Sequence, residues 1–496
     1  MKSIIVKSGA KAGLAAFAIA LIAIASSNDG MPGGGSRRTS VLLNDELVQR
    51  GPSSDVMRVL VPAEALCAPA IVANGGTGIR ADTLFKNNSG MSIDLRIEED
   101  VNARLGLLAS GGADIVWTSA DSLARAYPLV RACNPVAILL AGYSRGGDLV
   151  VARTAAATPE HFRGARIVCA ANTPHHFMAL YLLSLSGVRP EEVKWRLTRT
   201  PAAAAALFAR GKADICASAR HDLASTSNDN AEVTVLLSTE DAPRLVTGLF
   251  ITRESAVALR KEELSAFMKG WFNGLASMTK DMEPAAALIA RELLTDTAGA
   301  RAELERCSFA GYAENRAFFS IDDAEWGGFS QLFDTARNLY YGEGIQGTPL
   351  SGFARNTELL VSLEAELRMF APPAKDRQMA PQAGGRPLPG ARTFYFPKNR
   401  TIPDFDSRGA LARFARDAHV FSGCAVALYG GEDPAEDRWR DLAPQRAREV
   451  ARLLVSEHRV PSARIILPNE RIPVTGPGNG SARRVDAYLV PLRRER

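Results

Sequence analysis

Cysteine and histidine are scarce, with only six of each in 496 residues. Neither falls in CxxC or zinc-finger spacing, so a metal centre or a disulfide scaffold is not expected, and no cofactor is called for. Cys169 and Cys216 lie inside apolar runs, where a thiol behaves as a small hydrophobe. Charge of one sign is lacking as well: 59 Lys+Arg against 54 Asp+Glu leave a net charge of +5, and no basic run is interleaved with aromatics. That argues against nucleic-acid binding. Walker, HExxH and post-strand GxGxxG signatures are absent. GYSRGGD (142–148) resembles a GxSxG nucleophile turn only in its letters. Enzymatic activity is not expected. Long apolar runs are also missing, apart from AGLAAFAIALIAIA at 12–25, which follows Lys2, Lys7 and Lys11 and ends in Ala23-Ile24-Ala25. It is short for a bilayer span and has small residues at cleavage positions, so 1–27 reads as a signal peptide or an N-terminal anchor. A Gly/Ser/Arg-rich tether, 28–54, follows.

What the chain does have is one sentence written twice. Ala109, Gly111, Ala113, Asp114, Ile115, Leu123 and Ala124 recur as Ala209, Gly211, Ala213, Asp214, Ile215, Leu223 and Ala224. Each copy predicts a helix closing on a left-handed glycine, a short apolar strand, and a Ser/Thr/Asp-rich turn that caps the next helix. The period is too long for a solenoid unit and suits two similar α/β lobes. Strand tips of the two lobes facing each other across a cleft would form a binding site.

The remaining pattern fits that plan. VMRVLVP, PVAILLAG, DLVVAR, RIVCA, TVLLST and LVTGLFITR predict buried strands alternating with helices, hence a mostly parallel sheet. Leu264, Phe267, Met268, Trp271, Phe272, Leu275 and Met278 mark a helical core stripe. The two-lobed domain spans 55–368, with the second lobe at about 148–240 and crossings near 144–148 and 238–243; 280–368 read as helical. A Pro/Gly-rich linker, 369–391, leads to a unit at 392–496 with the order βαβαββ, a small α+β domain.

Open α/β sheets bind ligands beyond the carboxyl ends of their strands, where helix N-termini present N–H groups. Three such ends are Thr118-Ser119, Asn172 to His176, and Ser218 to Asp222, with Arg145 and Arg220 able to add charge. Hydroxyls, amides and helix dipoles favour an anion such as a sulfonate, carboxylate or other oxyanion. The same residues also suit plain helix capping. His175 and His176 point about 100° apart on a helix and do not share a metal; one of them suits a hydrogen bond to a ligand or to backbone.

LLASGGADIVWTSADSLA, LLAGYSRGGDLVVAR, ANTPHHFMALYLLSLSGV, AAALFARGKADICAS and LLSTEDAPRLVTGLFITRE with LSAFMKGWFNGL resemble the periplasmic substrate-binding proteins of the nitrate/sulfonate/taurine ABC-transporter family. The resemblance implies a type 2 periplasmic-binding fold that closes on a small solute, with Thr118, Ser119, Thr173, His175 and Arg220 as contacts and Ser144 and Asp148 at the crossover. It also implies a location in the periplasm of a Gram-negative-type cell and an inner-membrane ABC permease as partner.

LAPQRAREVARLLVSEHRVPSARI and SARRVDAYLV are similar to an OmpA-like peptidoglycan-binding domain in degenerate form. That resemblance implies that Asp433 and Arg446 hold the amine and carboxylate of diaminopimelate, making peptidoglycan a partner. The histidine and threonine usual in GHTD are missing from YGGEDP, and Trp439 replaces an asparagine; Arg446 alternatively pairs with an acidic neighbour. The combined expectation is an exported solute-binding protein held at the wall. The alternative is a wall-anchored sensor or scaffold that signals to a protein partner without transport.

Overall fold

A computed structural model describes residues 56–226, 233–321, 328–342, 351–370, 387–433, 435–436, 441–468 and 481–492. The expected signal, the tether and most of the linker lie outside these. Among the described residues no helix is long and apolar enough to cross a membrane. The chain divides into two compact units that change over at Tyr143/Ser144 and Val246/Thr247. The second unit also takes the C-terminal residues.

The first unit is built on a seven-stranded sheet. Its order is Cys307–Phe309, Pro135–Ser144, Thr247–Arg253, Ile115–Thr118, Val56–Val61, Ser92–Ile97 and Gly78–Ile79. Val56–Val61 runs parallel to both of its neighbours, while Thr247–Arg253 runs antiparallel to both of its own. Ile115–Thr118 is buried at every position, as a continuous apolar run requires of a strand covered on both faces. One layer is the Lys261–Lys280 helix, whose expected stripe is buried from Leu264 through Met278. Each large apolar side chain so covered contributes about 1.5–3 kcal/mol.

The segment 280–368, expected to be helical, contains a strand. Cys307–Phe309 joins the sheet edge beside Pro135–Ser144. Gly142 makes room for it: φ is +152°, and a Cβ there would collide with the Ser308 carbonyl. Three residues are too few to show a period of two.

The duplicated sequence proves to encode a joint at the strand entrances. Asp114 accepts from the Arg58 amide at 2.8 Å, and Arg58 Nη2 donates to the Gly111 carbonyl at 2.8 Å. Asp214 repeats this, accepting from the Arg166 amide at 2.8 Å, while Arg166 Nη1 reaches the Gly211 carbonyl at 3.4 Å. Gly111 and Gly211 are left-handed, at φ +82° and +71°. In each lobe one aspartate–arginine pair therefore ties the start of a strand, its parallel neighbour and the end of the preceding helix.

The second unit contains a five-stranded sheet in the order Val233–Ser238, Asp148–Arg153, Ile215–Ala219, Arg166–Ala170, Lys194–Thr198. It also holds a four-stranded sheet in the order Arg392–Tyr395, Arg484–Pro491, Cys424–Gly430, Ile465–Ile466. With the helices Phe405–Val420 and Leu442–Ser456, the latter region runs strand, helix, strand, helix, strand, strand. The first of these helices begins at Phe405, where Asp404 caps it by accepting from the Ser407 amide at 2.8 Å.

Within this unit the C-terminal residues pack on the Pro174–Leu185 helix. Tyr181 Oη donates to Asp417 Oδ1 at 2.7 Å, and its ring lies 5.6 Å from that of Phe421. The Gly423 amide donates to the Asp241 carbonyl at 3.0 Å. Gly390, at φ +95°, passes so near the Leu185 carbonyl that any Cβ would overlap it.

Candidate functional site

In the first unit, Thr118 ends its strand and Ser119 is the N-cap of the Ala120–Val130 helix, with φ −105° and ψ 161°. Ser119 Oγ sits 3.4 Å from the Ser122 amide and donates to Ser122 Oγ at 2.8 Å, so its capping role is filled. The Ala120 amide donates to Thr247 Oγ1 at 3.3 Å. Thr118 differs from these. It is wholly buried, and its Oγ1 has no hydrogen-bond partner among the described residues. A buried hydroxyl left unpaired costs about 1–3 kcal/mol, an expense natural structures seldom carry without a use.

In the second unit, Asp148, Ser144 and His175 form one network. His175 Nε2 and Asp148 Oδ1 are 2.8 Å apart, with side chains 8% and 14% exposed. Burial pushes the Asp148 carboxyl up, but the His175 hydrogen bond and charge and the Ser144 hydroxyl outweigh it and hold it below the usual aspartate value. Asp148 is therefore ionised.

The hub was not legible in the sequence. Thr239 is fully buried, and its Oγ1 accepts from the Gly146 amide at 2.8 Å and the Asp148 amide at 3.2 Å and lies 3.1 Å from Ser144 Oγ. Arg220 closes the loop, Nε donating to the Gly146 carbonyl at 2.6 Å and its amide to the Gly147 carbonyl at 2.7 Å. Ser144 thus ends the Pro135–Ser144 strand, which leads to the strand Asp148–Arg153 and not to the helix of a nucleophile elbow.

Other expected contacts are committed elsewhere. Thr173 turns its hydroxyl back to the Ala170 carbonyl at 2.8 Å and makes no side-chain cap on the Pro174–Leu185 helix. Ser218 Oγ donates to the Pro201 carbonyl at 2.9 Å. His176 packs against Trp195, ring centroids 5.2 Å apart. Thr118 and Ser119 belong to the first unit and the other five expected contacts to the second. Among the described residues, no group of three or more His, Cys, Asp or Glu is arranged to hold a metal ion.

In the C-terminal region Arg446 is wholly buried and does pair with an acidic neighbour, which is Glu436 and not Asp433. Its Nη2 meets Glu436 Oε1 at 2.5 Å and its Nη1 meets Oε2 at 2.8 Å, a two-pronged bond. Asp433, 4% exposed, instead accepts from the Ala435 amide at 2.9 Å.

Residues 81–267 match the family described as ABC transporter, phosphonate, periplasmic substrate-binding protein. No curated protein matches the chain. Among solved structures, it is similar to the periplasmic aliphatic sulphonate binding protein SsuA from Escherichia coli at 13% identity, covering 67% of this chain and 98% of that one with a TM-score of 0.48. It is also similar to the alkanesulfonate-binding protein SsuA from Xanthomonas axonopodis pv. citri bound to MOPS, at 14% identity over 62% and 99% of the two chains with a TM-score of 0.47.

Proposed function

We propose that the protein is the solute-binding component of an ABC-type import system, working in the periplasm on a small oxyanion of the phosphonate, sulfonate, nitrate or carboxylate class. The match of residues 81–267 to the phosphonate-binding family carries this reading. The unpartnered Thr118 hydroxyl, one residue ahead of a helix cap, supplies the donor such an anion needs. Ser119, Ser144, Asp148, Thr173, His175 and Arg220 are the further proposed contacts. His175 is the proposed second donor, kept in place by ionised Asp148. The N-terminal segment serves as export signal or anchor, an inner-membrane permease is the partner, and the 392–496 domain holds the protein to peptidoglycan through Asp433 and Arg446.

Titration calorimetry of the full chain against methylphosphonate, alkanesulfonates, nitrate and small carboxylates tests this. Saturable binding to one of these, weakened roughly tenfold in His175→Ala as loss of a charge-assisted bond would dictate, is the expected result. No heat with any of them removes the reading. The sensor alternative draws on one observation, the Tyr181–Asp417 bond that places the C-terminal residues directly on the helix of His175.

A further inference from the structure

The Glu436 carboxylate is held as a guest would be. Oε1 accepts from Arg446 Nη2 at 2.5 Å and the Asn399 amide at 2.7 Å; Oε2 accepts from Arg446 Nη1 at 2.8 Å and the Asp433 amide at 3.0 Å. Two donors thus serve each oxygen. The guanidinium is fixed independently of the carboxylate: Nε donates to the Arg400 carbonyl at 3.0 Å, Nη1 to the Gly431 carbonyl at 3.0 Å, and the Phe396 ring lies 5.2 Å from its central carbon. A planar fork oriented in this way and flanked by amides from two separate loops is a preformed carboxylate receptor. Burial opposes ionisation of Glu436, but Arg446 and the two amides overcome it, so the carboxyl is held below its usual value. Glu436 lies ten positions before Arg446, in the stretch between the Cys424–Gly430 strand and the Leu442–Ser456 helix, and is not built into either element.

We propose that Arg446 with the Asn399 and Asp433 amides forms a carboxylate-binding cradle whose resident occupant is Glu436, so that any external carboxylate enters by exchange for that side chain. The wall-binding reading supplies one source, the carboxylates of peptidoglycan peptides; free small acids are the other. In either case Glu436 acts as a built-in competitor, and the unmodified protein binds more weakly than one lacking it.

The test uses the full chain as wild type, Glu436→Ala and Glu436→Gln. Thermal unfolding is followed in sodium acetate against sodium chloride at equal ionic strength, and retention is measured on purified peptidoglycan sacculi. Acetate is expected to raise the unfolding temperature of Glu436→Ala and leave wild type unchanged. Glu436→Gln keeps the side-chain volume while weakening the resident, and should respond between the two, which preserves the test if the alanine variant does not fold. Retention on sacculi is expected to rise roughly tenfold in the variants, the scale of one charge-assisted pair. Acetate stabilisation without retention of any form keeps the cradle and removes the wall. Absence of an acetate effect in both variants overturns the cradle, and equal retention of all three forms would then leave wall binding standing without exchange.

Discussion

Thr118 is the residue at which a gain in stability and a loss of the proposed binding are expected to coincide. Its oxygen is fully buried without a partner among the described residues, whereas valine has the same shape and no polar group to satisfy. Thr118→Val is therefore expected to leave the empty protein as stable as before or more stable by about 1–3 kcal/mol. The same change should weaken solute binding. Urea unfolding and calorimetry on one preparation check both halves; a variant that is less stable and binds normally would make Thr118 an ordinary core residue. The sequence showed Thr118 at a strand tip, because DIVW followed by Ser and Asp reads as strand then cap. It did not show Thr239 or Glu436. Thr239 ends an unremarkable apolar run, and its hydroxyl gains meaning only from Gly146, Asp148 and Ser144, which lie roughly ninety positions earlier. Glu436 is one acid among several in a charged stretch, and only the fold brings it to Arg446.

At the scale of elements, the twin motifs were legible as local structure. Helix, left-handed glycine and strand follow from short-range rules and occur as read. The recurring aspartate, however, stands at the strand entrance and ties backbone together, while the strand tips differ, Thr118-Ser119 in one copy and Ser218-Ala219 in the other. The two joints also differ in their surroundings. Asp114 is buried among Arg58, Arg253 and Arg260, with Arg260 Nη1 at 2.9 Å, whereas the Arg166–Asp214 pair is open to solvent, with side chains 47% and 28% exposed. Removing one side of a buried charge cluster strands the rest, so Asp114→Ala is expected to cost about 3–5 kcal/mol in urea unfolding. Asp214→Ala should cost clearly less, because water and salt already screen that pair. Equal losses would show that burial is not what separates the copies. The Cys307–Phe309 strand was illegible for a different reason: it is set by tertiary pairing to a glycine-thinned edge and not by a pattern of its own.

At the scale of the whole chain, a helix of the C-terminal residues and a helix of the second lobe share a partly buried polar contact. No pattern within either stretch foretells that, since Tyr181 and Asp417 are 236 positions apart and each reads locally as an ordinary helical residue. The contact has a pH signature. Burial raises the Asp417 carboxyl above its ordinary 3.8, and the Tyr181 hydroxyl, Arg392 and Arg416 only partly offset this. The folded state therefore holds that proton more tightly than the unfolded state, and stability falls as pH rises from 3.8 through the folded value. Below 3.8 both states are protonated and the effect vanishes. Asp417→Asn keeps an oxygen for Tyr181 but cannot ionise, so the variant should lose less stability than wild type on going from acid toward neutral pH. Hydrogen exchange locates the effect: at neutral pH, amides of both Pro174–Leu185 and Phe405–Val420 should be better protected in the asparagine variant. If only Phe405–Val420 responds, the two helices open separately and the Tyr181–Asp417 bond does not couple them.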